Sequence, residues 1–428
     1  MTADAPGVGR RTQSEIFRAG VSGIRPRIPT RWDALVEQAR RRLPDDAWAY
    51  LAGSSGTEAT AAANAAAFDR YRIVPRMLVD TTGRDLSIEL LGTRLPTPLV
   101  IAPVGVLELA HRDADLAIAR AAAGFGIPTV LSNQASIPME RVAADPERTR
   151  RGGGPLWFQL YWSSSDELVE SLVHRAEAIG ATALVVTLDT TQLGWRPRDL
   201  DRAFLPFIRG MGIAQYTSDP VFQRLSRDRP PSTESTRITP SAIRTLLGLR
   251  RRRVAPRDVQ TFLDVFSRSD LTWTHLAWLR SITTLPILLK GIQHPDDARR
   301  ALDAGVDGVW VSNHAGRQVD GAIASLDALP LVADAIGGSA PIVFDSGVRG
   351  GADVLRALAL GATAVAVAHP WIYGLAIAGE EGAREALRNV LAEFDLTLGL
   401  SGHRSPAELD RDSLAITPPG GDAPSPHR

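Results

Sequence analysis

The chain has 428 residues, 44% of them hydrophobic, with 48 basic and 48 acidic side chains and no cysteine. That length suits one large barrel or two ordinary domains, and the balanced charge gives no global attraction to nucleic acid or an acidic membrane. Without cysteine there are no disulfides, thiolate metal sites or thiol nucleophiles, and the eight histidines contain no His-Glu-x-x-His pair, so no metal site is expected.

Residues 1 to 30 are polar and rich in Gly, Arg and Pro, which predicts a flexible extension. No apolar stretch follows its arginines, so it does not read as a signal peptide. No run of about 18 apolar residues occurs anywhere, so a membrane span is not expected and a cytoplasmic location is. Trp32, Leu35, Val36, Ala39 and Leu43 have helical spacing. Pro44 opens a second short helix over DDAWAYLAGSSG, with Tyr50 near its end, where a side chain can reach into a site. The Ala-rich stretch 58–68 is a third helix. Residues 71–97 read as short strands and turns that cover the bottom of a barrel formed by the later chain.

A rhythm of strand and helix then begins. Short apolar strands are predicted at Pro98–Ala102, Pro128–Leu131, Leu156–Leu160, Ala183–Thr187, Pro286–Lys290, Asp307–Val311, Pro341–Asp345 and Thr363–Val367. Amphipathic helices alternate with them, the last from Glu380 to Leu398. Continuous apolar strands between such helices mean parallel strands covered on the outside. Eight units predict an α/β protein with a closed (β/α)8 TIM barrel over residues 31–414. The rival is an open doubly wound sheet, but no Gly-x-Gly-x-x-Gly follows the first strand. After the fourth strand about 80 residues pass before a helix resumes near Thr272. Gly194 to Phe222 carries aromatic residues and reads as a lid within a long loop at about 194–270. The stretch RDRPPSTESTRITP reads as disordered. Arg250–Arg253 reads as a solvated charge run rather than a membrane anchor. Residues 415–428 read as a disordered tail.

Strand ends would bring Gln159, Tyr161, Thr187, Asp189, Lys290, Ser312, His314, Arg317 and Asp345 to one mouth. In VSNHAGRQVDG an imidazole able to move a proton near neutral pH stands three residues from a guanidinium able to clamp a carboxylate. A lysine ending the apolar strand PILLK needs a negative partner, because an unpaired buried ammonium is costly. The loops DSGVRGG and AHP fit the usual barrel phosphate site, with Gly347, Gly350 and Gly351 allowing close backbone approach.

The motifs IAPVG, LSNQAS, FQLYW, TLDTTQLGWRPRD, LPILLKG, VSNHAGRQVDG and DSGVRGGADV, in this order, resemble the FMN-dependent α-hydroxy-acid oxidising family over about Arg31 to Leu414. Within it, LSNQAS, LGWRPRDLD and the long fourth loop look most like the lactate 2-monooxygenases. The resemblance implies FMN as cofactor and His314 as catalytic base, with Asp189 holding its tautomer. It implies Arg196 and Arg317 on the substrate carboxylate, and Tyr50 and Tyr161 on the substrate. Lys290 would lie beside the flavin. Ser132, Gln159, Thr187, Ser312 and the Pro103-Val104-Gly105 backbone would contact the ring, and Asp345, Gly347 and Arg349 the ribityl and phosphate.

Two positions depart from the family pattern. Ala368-His369-Pro370 stands where the family has Gly-Arg-Pro at the phosphate, with His369 as a partial replacement when protonated. Ala315 stands where Gly is common. The implied activity is oxidation of a small (S)-2-hydroxy acid, lactate, with O2 as oxidant and oxidative decarboxylation of the product. The alternatives are a simple oxidase releasing H2O2, a quinone- or protein-coupled dehydrogenase, and a barrel that has lost FMN. Relatives are often homotetramers, so a homotetramer is implied.

Overall fold

Eight parallel strands pair in sequence order and close on themselves in the computed structural model, which describes residues 7–230 and 239–417. They are β1 (Leu99–Ile101), β2 (Thr129–Leu131), β3 (Leu156–Tyr161), β4 (Leu184–Thr187), β5 (Ile287–Ile292), β6 (Gly308–Val311), β7 (Ile342–Phe344) and β8 (Ala364–Val367). The β8–β1 pair closes the ring. Several strands are preceded by proline. Lacking an N–H, it costs no ladder bond there, and its carbonyl starts the next rung: Ile101 donates to Pro128, Thr129 to Pro155, Leu184 to Pro286 and Val309 to Pro341.

Strand side chains alternate between faces, and this splits the apolar residues into two cores. Val100, Val130, Trp157, Val185, Leu288, Trp310, Val343 and Ala364 point inward and fill the barrel. Leu99, Ile101, Phe158, Val186, Leu289, Val309, Phe344 and Val365 point outward beneath the helices. Leu90 and Leu95, on the hairpin Ile88–Leu90/Thr93–Leu95, join the inner cluster, so this hairpin is the predicted cover over the barrel bottom.

Within the N-terminal extension, residues 8–21 form a helix rather than part of the flexible segment expected. Helix α1 (Val8–Val21) lies on the long final helix His369–Leu400, where Gly9 N–H donates to Asp395 at 2.8 Å. Asp395 also takes Arg84 at 2.7 Å. A side chain at Gly9 would meet Leu396 and the Ala392 carbonyl at 2.5 and 2.7 Å, so the helices touch backbone to backbone there. Helices α2 (Trp32–Arg42), α3 (Asp45–Ala52) and α4 (Ala59–Arg70) follow as predicted.

The fourth loop is built of short helices, most opened by proline at the first turn: Pro197–Leu200, Pro206–Arg209, Ala214–Thr217, Pro220–Asp228, Pro240–Arg252 and Pro256–Val265. Its aromatic residues pack as a small core, with Phe207 and Tyr216 at 5.0 and 4.8 Å from Phe262. Asp219 is fully buried, caps Val221 and Phe222, and pairs with Arg175 at 3.0 Å. Of the segment expected to be disordered, Arg227 and Asp228 are helical, Thr239 and Pro240 open the next helix, and 231–238 lie outside the described residues. The arginine run closes that helix, with Ile243, Leu246 and Leu247 exposed. At the C-terminus, Leu414–Ile416 pairs antiparallel with Tyr71–Ile73, which corrects the expected disorder at 415 and 416. Residues 418–428 lie outside the described residues. The last helix, His369–Leu400, leaves helical geometry at Ala378 and Gly379, so a helical stretch starts at Glu380 as predicted, and it is preceded by another from His369, whose first turn tolerates Pro370. No described helix is long and apolar enough to cross a membrane.

Candidate active site

The alternation that fills the barrel with Val, Leu and Trp continues one step further up each strand and delivers polar groups. Two residues beyond Val130 is Ser132, beyond Trp157 is Gln159, beyond Val185 is Thr187, beyond Leu288 is Lys290, beyond Trp310 is Ser312, and beyond Val343 is Asp345. All six are buried. Ser132 Oγ donates to Gln159 Oε1 and Gln159 Nε2 to Thr187 Oγ1, each at 3.0 Å. Lys290 Nζ, only 4% exposed, donates to Ser312 Oγ at 2.8 Å and faces Asp345 Oδ2 at 3.2 Å. Asp345 also accepts Trp310 Nε1 at 3.0 Å and Ser346 Oγ at 2.8 Å. The buried ammonium therefore has its negative partner within the protein.

A cavity opens above this layer. Tyr50, Pro103, Val104, Gly105, Tyr161, Arg196, Lys290, His314, Arg317, Asp345, Gly347, Ala368 and His369 line it, so most of the predicted site residues share one space. His314 Nδ1 lies 2.8 Å from Asp189 Oδ1. Burial pushes the His314 pKa down, with Asp189 opposing and Lys290 adding to the fall. Burial pushes the Asp189 carboxyl up, but His314 and Lys290 outweigh it and hold it at about 2. The pair is thus an ionised carboxylate and a neutral imidazole. The carboxylate accepts, so Nδ1 carries the proton and Nε2 presents a free lone pair.

Arg317 Nη1 donates to the carbonyls of Tyr50 and Gly53, both at 2.6 Å, and its guanidinium stands 5.1 Å from the Tyr50 ring. Burial and the nearby Arg196 lower its pKa to about 10, so it remains charged at neutral pH. Arg196 donates through Nε to the Arg317 carbonyl at 3.0 Å and through Nη2 to Gln318 Oε1 at 2.9 Å. Burial raises the pKa of both Tyr50 and Tyr161, keeping their phenols neutral. Two guanidinium groups, two phenols and an imidazole on one wall suit a small hydroxy carboxylate.

The turn carrying the base is strained. His314, Ala315 and Gly316 have φ of 55°, 55° and 75°, three consecutive left-handed residues. Contacts from the segment before the barrel hold it: Ser54 Oγ to the Ala315 carbonyl (3.1 Å), Ser55 N–H to Gly316 (2.9 Å) and Ser55 Oγ to Arg317 (2.6 Å). Asn64 and Asn313 exchange side-chain bonds at 2.8 and 2.7 Å. Ser54, Ser55, Asn64, Thr190, Gln318 and Ser346 were not singled out in the sequence. Thr190 Oγ1 lies 3.1 Å from Asp189 Oδ1 and 3.4 Å from His314 Nδ1. Only the adjacency of Thr190 to Asp189, of Gln318 to Arg317 and of Ser346 to Asp345 offered a signal.

The expected phosphate end differs in four ways. Arg349 does not line the cavity: its Nε and Nη2 lie at 3.0 and 3.3 Å from the Asp353 carboxylate. The start of helix Gly351–Ala359 is taken by Glu393, which accepts Gly351 N–H at 2.8 Å. The glycines answer to the protein rather than to a ligand. A side chain at Gly351 would fall 2.0 Å from Phe394 N, and one at Gly347 (φ +89°) 2.8 Å from the Asn64 carbonyl. His369 is not a charged stand-in for arginine. Burial lowers its pKa to about 4, Arg317 adding to the fall, and its ring stacks on Tyr373 at 5.5 Å. The backbone of Ser346–Val348 and the first turn of the final helix at Ala368–His369 remain on the cavity wall. A cavity with a buried lysine at its floor and backbone along its walls still suits the groups of a flavin mononucleotide.

The model of the FMN-dependent dehydrogenase family matches residues 39–416. The FMN-dependent alpha-hydroxy acid dehydrogenase qulF of Penicillium citrinum is 42% identical over 410 residues, 95% of this chain and 96% of that protein. The L-lactate oxidase of Lysinibacillus sphaericus is 39% identical over 396 residues, 92% and 94% of the two chains. The crystal structure of mandelate oxidase with (S)-4-hydroxymandelic acid superimposes with a TM-score of 0.75 at 34% identity, covering 91% of this chain and 99% of that one.

Proposed function

Because the chain belongs to the FMN-dependent dehydrogenase family, we propose that its cavity oxidises a small (S)-2-hydroxy acid of lactate size to the 2-oxo acid. The carrying observation is the placement of His314, Arg196, Arg317 and Lys290 on one cavity, with Asp189 fixing the histidine at 2.8 Å. FMN, when bound, supplies the two-electron acceptor for the α-carbon and is returned to its oxidised form by molecular oxygen. Lys290, the Pro103–Gly105 backbone, the Ser346–Val348 turn and the Ala368–His369 backbone are the groups that would hold it. Arg317, anchored through Nη1, directs its remaining N–H groups at the substrate carboxylate, and Arg196 supplies the second cation. Tyr50 and Tyr161, kept neutral, hydrogen-bond the substrate. His314 Nε2 accepts the proton, and the imidazolium so formed is stabilised by ionised Asp189.

The fate of the oxo acid depends on how long it stays. Retained against hydrogen peroxide, a 2-oxo acid loses CO2: a peroxide oxygen adds at C2, the C1–C2 bond breaks as its electron pair displaces the distal oxygen across the O–O bond, and the shortened carboxylate, CO2 and water leave. The fourth loop supports retention. Phe207 lines the cavity, while Tyr216 is fully buried and bonded to Asn133, so this part of the loop is fixed against the barrel beside the cavity. Release of oxo acid and peroxide is the second reading, favoured by relatives that bear oxidase names. Acetate, pyruvate and peroxide measured per oxygen consumed with (S)-lactate, catalase absent, test both. Acetate without free peroxide supports retention, and stoichiometric pyruvate and peroxide refute it. A protein that stays colourless in excess FMN, or does not bleach with any 2-hydroxy acid, would overturn the enzymatic reading itself.

A further inference from the structure

One side chain outside the expected set bonds both ends of the segment that carries Asp189 and Arg196. The Gln318 amide donates through Nε2 to the carbonyls of Asp189 (2.6 Å) and Gln192 (2.8 Å). Its Oε1 accepts from Arg196 Nη2 (2.9 Å) and Gly194 N–H (3.4 Å). Two donors and two lone pairs are the full capacity of a primary amide, and all four are spent on residues 189–196. Gln159, by contrast, makes one bond as donor and one as acceptor.

Gln318 directly follows Arg317, whose carbonyl takes Arg196 Nε at 3.0 Å. The Arg196 guanidinium is therefore held at two nitrogens by consecutive residues of the sixth loop. Those bonds leave only part of its fork free and fix the direction in which it points. The two loops also touch without room to shift. A side chain at Gly194 would come within 2.5 Å of the Arg317 carbonyl and 2.8 Å of the Gln318 carbonyl. Gly56 N–H holds the Trp195 carbonyl at 2.8 Å from the other side.

We infer that Gln318 is a positioning residue for the oxidation: it registers the fourth loop on the sixth and thereby aims Arg196 at the substrate carboxylate. It touches neither substrate nor reacting atoms, and its effect passes through Arg196. The inference rests on the assignment of Arg196 to the carboxylate, and a double-mutant cycle separates the two. The readout is the dissociation constant of oxalate, titrated against the visible spectrum of the FMN-loaded protein, for wild type, Gln318→Met, Arg196→Met and the double variant.

Removing a neutral acceptor from a guanidinium is worth roughly a tenfold change or more. Gln318→Met is expected to raise the oxalate constant about tenfold in the wild-type background and less than about twofold beside Arg196→Met. FMN content should stay near wild type. Equal effects in both backgrounds, or no effect in the wild type, would overturn the inference, because the glutamine would then act elsewhere. An Arg196→Met variant that binds oxalate as tightly as wild type would remove the carboxylate assignment, and this inference with it. Gln318→Ala, read by the same cycle, serves if the methionine variant does not fold.

Discussion

Replacing Asp189 with asparagine tests the centre of the proton-transfer mechanism. The imidazole nitrogen and carboxylate oxygen are 2.8 Å apart, so the imidazolium and carboxylate charges formed during proton transfer lie about 4 Å apart. At an effective dielectric near 20 that attraction is about 4 kcal/mol. Asparagine keeps a dipole but no charge, so the expected loss is about 2–4 kcal/mol, or roughly 30- to 1000-fold in the reductive step. The structure adds a second penalty. Asp189 Oδ2 is buried without a hydrogen-bond partner among the described residues. An asparagine with its oxygen toward His314 would bury its NH2 there unpaired. Turned the other way, the NH2 would meet Nδ1 and move the imidazole proton to Nε2, abolishing the base. Stopped-flow mixing with (S)-lactate in the absence of oxygen, followed by flavin bleaching, measures the step. Asp189→Asn should also lower the kinetic pKa of the base, since the carboxylate is what opposes the downward pull of burial on His314. Bleaching within about fivefold of wild type, with an unchanged pH profile, would refute this account.

In the wild type, kcat/KM should rise as pH rises through an apparent pKa below the ordinary histidine value of 6.5, because His314 acts as a neutral base and its pKa is lowered. A limb above 6.5 would contradict that direction. His369→Gln should change FMN affinity by less than about threefold, since a neutral imidazole contributes no charge to the phosphate. A loss of about 1.5–3 kcal/mol, that of a charged hydrogen bond, in fluorescence titrations with FMN would show that His369 is protonated when the phosphate is bound. Ala315→Gly should leave stability unchanged or raise it by up to about 1 kcal/mol in thermal melts. Relief of the left-handed strain at φ 55° is offset by the added freedom of glycine in the unfolded chain. A clear fall in Tm would mean that the Ala315 methyl makes stabilising contacts that outweigh the backbone strain.

The barrel was readable because each strand is a short apolar run behind a proline or a turn, and because parallel strands need helices between them. Lys290 stood out for the same reason: a charge on an otherwise apolar strand demands an explanation, and Asp345 and Ser312 provide it. The phosphate end was less legible. Arg349 and the glycines at 350 and 351 fit a phosphate motif in sequence, yet Asp353, Glu393 and Phe394 compete for the same groups, and those partners lie one turn ahead or on another helix. The order of α1 was hidden because its burial comes from a helix nearly 390 residues away in the chain, through Gly9 and Asp395 (a separation of 386). Gln318 was invisible as a functional residue because its role depends on the path of an 80-residue loop.

The bonds between the segment 54–64 and the sixth loop have a consequence for how the protein is made. They join residues separated by 249 positions at Asn64–Asn313 and by 263 at Thr57–Asp320. At synthesis rates of about 5–20 residues per second, the first partner leaves the ribosome roughly 10–50 s before the second exists. In that interval the early barrel strands can pair with their neighbours, while the 54–64 segment waits for the left-handed turn at His314–Gly316 that it will brace. The chain should therefore pass through a species with much of its sheet formed and no catalytic turn, as expected where long-range contacts close last. Pulse-labelled hydrogen exchange during refolding would show β1–β4 amides protected before those of Gly316 and Arg317. Simultaneous protection would mean that the clamp forms with the barrel rather than after it.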